Sequence, residues 1–133
     1  MGMDDFKIEA GKYVPGICFD SKNNIFDIKG DSYPENTTEL YTPVFVWLEA
    51  YLGSLEKNME IMFNMELRYF NSSSSQVLTN FFGIMEEYAC NGMKVIINWI
   101  YDKENEIALE HGEDFQEDAK VLVFNLVQKG REA

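Results

Sequence analysis

The chain has 133 residues, with 11 Lys and Arg against 23 Asp and Glu, for a formal net charge of −12 and a sequence pI near 4.4. With 46% apolar and 14% aromatic residues, it holds enough burial potential to offset the entropy of ordering one compact domain, which excludes a wholly disordered chain. So negative a field repels phosphate backbones, and no Lys/Arg stripe with interleaved aromatics is present, so neither nucleic acid nor a membrane is expected as a partner.

Cys18 and Cys90 are the only cysteines, far apart and outside any CxxC or Cys/His cluster, which fits a reduced, cytoplasmic protein. No apolar run is long enough to span a bilayer, and the start Met1-Gly2-Met3-Asp4-Asp5 is acidic where a signal peptide is basic. Gly2 suggests myristoylation, but Phe6 stands where that signal wants Ser or Thr. One domain is expected over residues 11–127, with flexible ends at 1–10 and 128–133. The three prolines, Pro15, Pro34 and Pro43, all fall in the first third.

In chain order, Gly16 to Asp20 and Ile25 to Gly30 are short β-rich runs, and Ser21-Lys22-Asn23-Asn24 between them supplies hairpin-turn residues. Asp31 to Asn36 is turn-forming. Asn36 or Thr37 then caps a helix, with Glu39 placed to close a capping box. Leu40, Val44, Trp47, Leu48, Tyr51 and Leu52 give that helix one apolar stripe to about Gly53, and Pro43 removes one backbone donor inside it. Glu60 to Phe70 reads as a central strand that runs directly into Asn71 and four serines, Ser72 to Ser75. Val77, Leu78, Phe81, Phe82, Met85, Tyr88 and Ala89 form a helical face that stops at Asn91-Gly92. Val95 to Tyr101 reads as a buried strand, Lys103 to Asp118 as an acidic helix and Lys120 to Val127 as a final strand. The order β-β-α-β-α-β-α-β predicts an α/β fold, a mixed sheet with helices packed on it.

The corner Asn71 to Gln76 is the most informative place for chemistry. Hydroxyls at a helix start accept bonds from free backbone N–H groups, and the positive end of the helix dipole favours negative charge. A phosphoserine there adds roughly −1.5 to −2 charges and three acceptor oxygens, which the helix end tolerates but a docked partner does not. A plain turn-and-cap segment is the competing reading.

Four segments carry a resemblance. Gly30-Asp31-Ser32-Tyr33-Pro34-Glu35-Asn36, Tyr69-Phe70-Asn71-Ser72-Ser73-Ser74, Asn98-Trp99-Ile100-Tyr101-Asp102 and Glu110-His111-Gly112-Glu113-Asp114-Phe115 resemble, in this order, the SiaC family of regulatory phosphoproteins. The resemblance runs from about Gly16 to Val127. It implies a STAS-like fold, as in anti-sigma-factor antagonists, in which one Ser or Thr at a helix start is phosphorylated by a partner kinase and restored by a partner phosphatase. It further implies that the unphosphorylated form binds and activates a diguanylate cyclase, raising cyclic di-GMP. A SiaB-type kinase would block that binding and a SiaA-type phosphatase restore it. The phosphorylated position follows the Tyr-x-Asn element and maps onto Ser72; the best-known member carries Thr there, and Ser73, Ser74 and Ser75 are neighbouring hydroxyls. Tyr33, Glu35, Asn36, Asn71 and Ser73 are the expected partner contacts, Tyr33 foremost as an aromatic beside polar groups, although Glu35 and Asn36 also serve a simple loop and cap.

Other readings are weaker. Asp102 to Asp118 holds eight acids but is no EF-hand loop, since Ile107 stands where that loop supplies a carbonyl ligand and no turn glycine precedes it; a solvated helix face, or one meeting a basic patch on a partner, is expected. His111, the sole histidine, invites a hydrolase reading with Ser32 or Ser72, yet no nucleophile elbow, zinc-protease motif, Walker loop or dinucleotide glycine motif is present. The expectation is therefore a non-enzymatic regulator without a cofactor, with an anti-sigma-factor antagonist as the alternative within the same fold. Met59, Met62 and Met65 are expected to fill the core.

Overall fold

Along Glu60–Phe70, the residues Ile61, Phe63, Met65 and Leu67 are buried, while Met62, Asn64 and Glu66 between them are only half-buried. A strand with period-two burial has one face on a core and one toward solvent. The computed structural model describes residues 5–55 and 58–129, and among them the elements are β1 (Phe6–Ile8), β2 (Gly16–Asp20), β3 (Ile25–Ser32), α1 (Thr37–Gly53), β4 (Glu60–Phe70), α2 (Ser72–Cys90), β5 (Lys94–Asp102), α3 (Glu106–Asp118) and β6 (Val123–Lys129).

These form a six-stranded mixed sheet in the order β1-β2-β3-β4-β5-β6. The first three strands pair antiparallel, and β3 to β6 run parallel. Each crossover between parallel strands carries a helix, as parallel pairing requires. All three helices lie on the same face. Tyr51 of α1 meets Phe26 of β3, Phe81 of α2 meets Phe63 of β4, and Phe115 of α3 meets Trp99 of β5, each with ring centroids 5.2–5.7 Å apart.

The expected α/β class and alternating order hold, with one strand added in front. Phe6 and Ile8 flank Lys7 with the same alternation, and the Phe6 ring packs 5.9 Å from Phe19 and 5.8 Å from Trp47. That burial pins residues 6–8 as an edge strand inside the stretch expected to be a flexible end. At the other end β6 includes Gln128 and Lys129. Residues 1–4 and 130–133 of the expected flexible ends lie outside the described residues. The last helix starts later than the expected Lys103: Asn105 caps α3 by accepting from Ala108 N at 3.1 Å, so Lys103 and Glu104 form the preceding turn. Met62 sits on the solvent face of β4 and is not core, whereas Met65 is fully buried.

Two glycines have specific work. Gly30 adopts φ +131° where the β3–β4 register shifts between Gly30 and Asp31, a backbone state that L side chains rarely adopt. The shift leaves Ser32 opposite Phe70 and buried. Gly112 lets α3 lie close on β5: a Cβ there would fall 2.5 Å from Trp99 Cδ1 and 2.8 Å from Leu126 Cδ2. At the same contact the Trp99 indole N–H donates to Ala108 O at 2.9 Å.

Candidate functional site

The β4–α2 corner sits at the carboxyl ends of the parallel strands. Asn71 is the N-cap of α2 in extended backbone, its side chain accepting from Ser74 N at 2.9 Å, while Ser75 N donates to Asn71 O at 2.9 Å. The serines therefore do not cap the helix as expected. Asn71 takes that role because its Oδ1 reaches the third helical N–H, and Ser72 to Ser75 become the first turn itself. By helix geometry the N–H groups of Ser72 and Ser73 have no intrahelical acceptor. The first turn of α2 carries no acid, whereas α1 has Glu39 and α3 has Glu106 there, so the positive end of this dipole is left uncompensated.

Four adjacent hydroxyls have different surroundings. Ser72 and Ser73 are exposed, Ser75 is half-buried and Ser74 is 1% exposed. Ser74 Oγ lies 2.8 Å from Ser32 Oγ, which in turn lies 2.5 Å from the Tyr41 hydroxyl. Burial pushes the Tyr41 phenol up, opposed by its bonds to Ser32 and Ser74, so it remains a neutral donor in this cluster. Ser32 also accepts from Asn71 N through its backbone O at 3.0 Å. One residue thus clamps both ends of the Asn71–Ser74 turn, and Ser74 is unavailable to an outside enzyme while the turn is folded.

Tyr33 follows Ser32 directly and is half-buried in an aromatic row. Its ring centroid is 5.1 Å from that of Tyr13 and 5.2 Å from that of Tyr69, both edge-on, and Tyr33 N donates to Tyr13 O at 2.9 Å. Tyr13 is 49% and Tyr69 55% exposed. Tyr33, which follows β3, and Asn71 to Ser73, which follow β4, therefore lie at the same carboxyl end of two adjacent strands. Asn36 is occupied as the N-cap of α1, accepting from Glu39 N at 3.0 Å, and Glu35 is exposed in the preceding turn. Sequence reasoning missed Tyr13, Ser32 as a clamp and Tyr41. Tyr69 belongs to one of the family-like motifs, but nothing local marks Tyr13, which lies in the segment between β1 and β2 and meets Tyr33 just after β3.

His111 on α3 has its ring 4.7 Å from that of Phe70. Among the described residues it shares no hydrogen bond with Ser32 or Ser72, the serines considered as its nucleophile. Nor does any group of three or more His, Cys, Asp or Glu converge as a metal site among the described residues. No helix in this set is long and apolar enough to cross a membrane.

Residues 8–129 match the SiaC family regulatory phosphoproteins. The chain belongs to the SiaC family. An uncharacterized protein of Pseudomonas aeruginosa strain UCBPP-PA14 is 34% identical over 116 residues, covering 87% of this chain and 90% of that one. Among solved structures, a chain in the crystal structure of the diguanylate cyclase SiaD in complex with its activator SiaC, from Pseudomonas aeruginosa, aligns with a TM-score of 0.87 and 30% identity over 94% of this chain and 100% of the other. SiaC of Pseudomonas aeruginosa aligns with a TM-score of 0.83 and 29% identity, over 97% and 100%. The family places this chain among regulatory proteins, and the Ser72 corner lies within the matched span.

Proposed function

We propose that this SiaC-family chain is a non-enzymatic, cytoplasmic switch whose unphosphorylated form binds and activates a diguanylate cyclase, and whose phosphorylation on Ser72 by a SiaB-type kinase ends that binding until a SiaA-type phosphatase removes the phosphate. The observation that carries this reading is the exposed Ser72 hydroxyl at the first position of α2, directly after the Asn71 cap and three residues beyond Tyr69 of the Tyr33–Tyr69 pair. A family relative in complex with a diguanylate cyclase supplies the effector class.

The physics of the switch follows from the corner. A phosphate on Ser72 brings roughly −1.5 to −2 charges to the uncompensated positive end of α2, where the free N–H groups of Ser72 and Ser73 and the helix dipole favour it. The fold therefore accepts the modified state. An effector seated on Tyr13, Tyr33, Tyr69 and Ser73 instead has to desolvate that phosphate, and the contact weakens.

Intact-mass and peptide mass spectrometry with the cognate kinase tests the site: one phosphate on the Ser72 peptide is expected, and none in Ser72→Ala. Equal phosphorylation of Ser72→Ala refutes the site. Cyclase activation unchanged after stoichiometric phosphorylation refutes the switch. Ser72→Asp is expected to weaken activation less than phosphate does, because it has less charge and fewer acceptor oxygens.

A further inference from the structure

Among the described residues, no helix covers the sheet face opposite α1, α2 and α3. Strands that pair parallel are usually buried on both faces, and in this mixed sheet the parallel part, β3 to β6, shows Ile25, Met62, Ile96, Ile100, Val123 and Val127 partly or largely to solvent on one face. Across its middle runs a chain of side-chain bonds: Asn125 donates to Asn98 at 3.0 Å, Asn98 to Asn64 at 2.9 Å and Asn64 to Asp27 at 3.0 Å. We propose that this face is covered by the same face of a second copy of the chain, as a two-fold dimer.

Charge selects that occupant. The sequences of the three helices contain ten carboxylates and no Lys or Arg, so two helix layers repel each other. The open sheet face is different. Its side chains include Lys7, Lys29, Arg68, Lys94 and Lys129 against Asp20, Asp27, Asp31, Glu60, Glu66 and Asp102, five cations to six carboxylates, a net of −1 out of the chain's −12. Most are already paired across strands: Arg68 with Asp31 at 3.1 Å, Lys94 with Glu60 at 3.8 Å, and Glu66 with both Lys29 and Lys129. For a chain this acidic, it is the surface on which an identical molecule approaches without a net repulsive field. A strongly basic partner gains more from the helix layer.

The area suffices. Six strands spaced about 4.8 Å apart and about seven residues long at about 3.3 Å each give about 650 Å² per copy. Two copies bury about 1,300 Å², inside the range of about 1,200–2,000 Å² for stable interfaces. Each Asn in the ladder retains hydrogen-bonding capacity to offer a symmetry mate, and a two-fold contact is closed, so it does not propagate into fibres.

Sedimentation equilibrium of the unmodified full chain from about 1 to about 200 µM tests this, since a dimer's mass rises with concentration by mass action. A mass approaching twice the 15.4 kDa of the chain is expected. The two exposed cysteines report the surface, because Cys18 lies on the open face and Cys90 at the end of α2: Cys18 alkylation slows at least fivefold at dimeric concentrations and that of Cys90 does not. Asn98→Arg, in the ladder, and Val127→Glu, at its exposed edge, each weaken dimerisation at least tenfold while far-UV circular dichroism stays unchanged. A single-chain mass across the whole range overturns the proposal. So does a dimer that leaves Cys18 unprotected and survives both substitutions, or a monomer whose Cys18 is protected only by the cyclase. Because Ser72 phosphorylation is read separately, failure here leaves the switch reading standing, and the reverse.

Discussion

Replacing the serines around the α2 start one at a time separates a structural hydroxyl from an accessible one. Ser32→Ala removes the oxygen that holds both Tyr41 and Ser74, each more than nine-tenths buried. Each of the two stranded hydroxyls costs about 1–3 kcal/mol, about 2–6 kcal/mol together, and part is recovered because Tyr41 and Ser74 also reach each other, which leaves about 2–3 kcal/mol of destabilisation. Ser74→Ala leaves the Ser32–Tyr41 bond in place and costs about 1 kcal/mol. Ser72→Ala touches an exposed side chain and stays within about 0.5 kcal/mol of the parent. Urea melts followed by circular dichroism read these differences: with m near 1.5 kcal/mol/M for a chain this size, the Ser32→Ala midpoint falls by about 1.5 M and that of Ser72→Ala barely moves. Equal midpoints for Ser72→Ala and Ser74→Ala would mean that the two hydroxyls share one environment, and the argument that only Ser72 and its exposed neighbour meet a kinase fails with it.

Gly112→Ala forces a methyl into Trp99 and Leu126 and is expected to cost at least about 2 kcal/mol, against a gain of about 1 kcal/mol for Gly to Ala in an open helix; a thermal melt showing stabilisation contradicts the close α3–β5 packing. Burial, the largest single influence on Glu86, pushes its carboxyl up, but backbone N–H groups of Lys120, Val121 and Leu122 together outweigh it and hold the group below 4.5. A depressed carboxyl stabilises the fold above its unfolded value and loses that contribution as pH falls through the folded one. Glu86→Gln is therefore less stable than the parent at pH 7, and the gap closes in paired urea melts as pH falls through the depressed folded-state value; a gap that persists in acid shows that the carboxylate's charge is not what matters. Tyr69→Ala, more than half exposed, is expected to leave the melting temperature nearly unchanged while lowering cyclase activation at least tenfold, as for an aromatic contact at the centre of an interface. Parent-like activation by Tyr69→Ala and Tyr33→Ala together removes the aromatic row from the effector surface.

Local pattern sufficed for most elements. The bounds Glu60–Phe70 follow from partial alternation and β-forming residues, the start of α1 follows from the cap residues Asn36 and Thr37, of which the structure uses Asn36, and the end of α2 follows from Asn91-Gly92, where Gly92 takes φ +113°. The family was legible too, because its motifs are short contiguous runs. What the sequence could not order was the serine corner: Ser72 and Ser74 are the same residue two places apart, and only the approach of Ser32 and Tyr41 buries one and leaves the other in solvent. Tyr13 joins Tyr33 and Tyr69 through contacts between segments distant in the chain, and Phe6–Ile8 becomes a strand only because Phe19 and Trp47 bury Phe6. The charge total of −12 was fixed by composition. That ten of those carboxylates share one layer while the opposite face is nearly neutral is decided by which strands pair and on which side the helices return. Residue type and spacing thus determined the elements and the family, and long-range packing determined which hydroxyls, rings and charges face outward together.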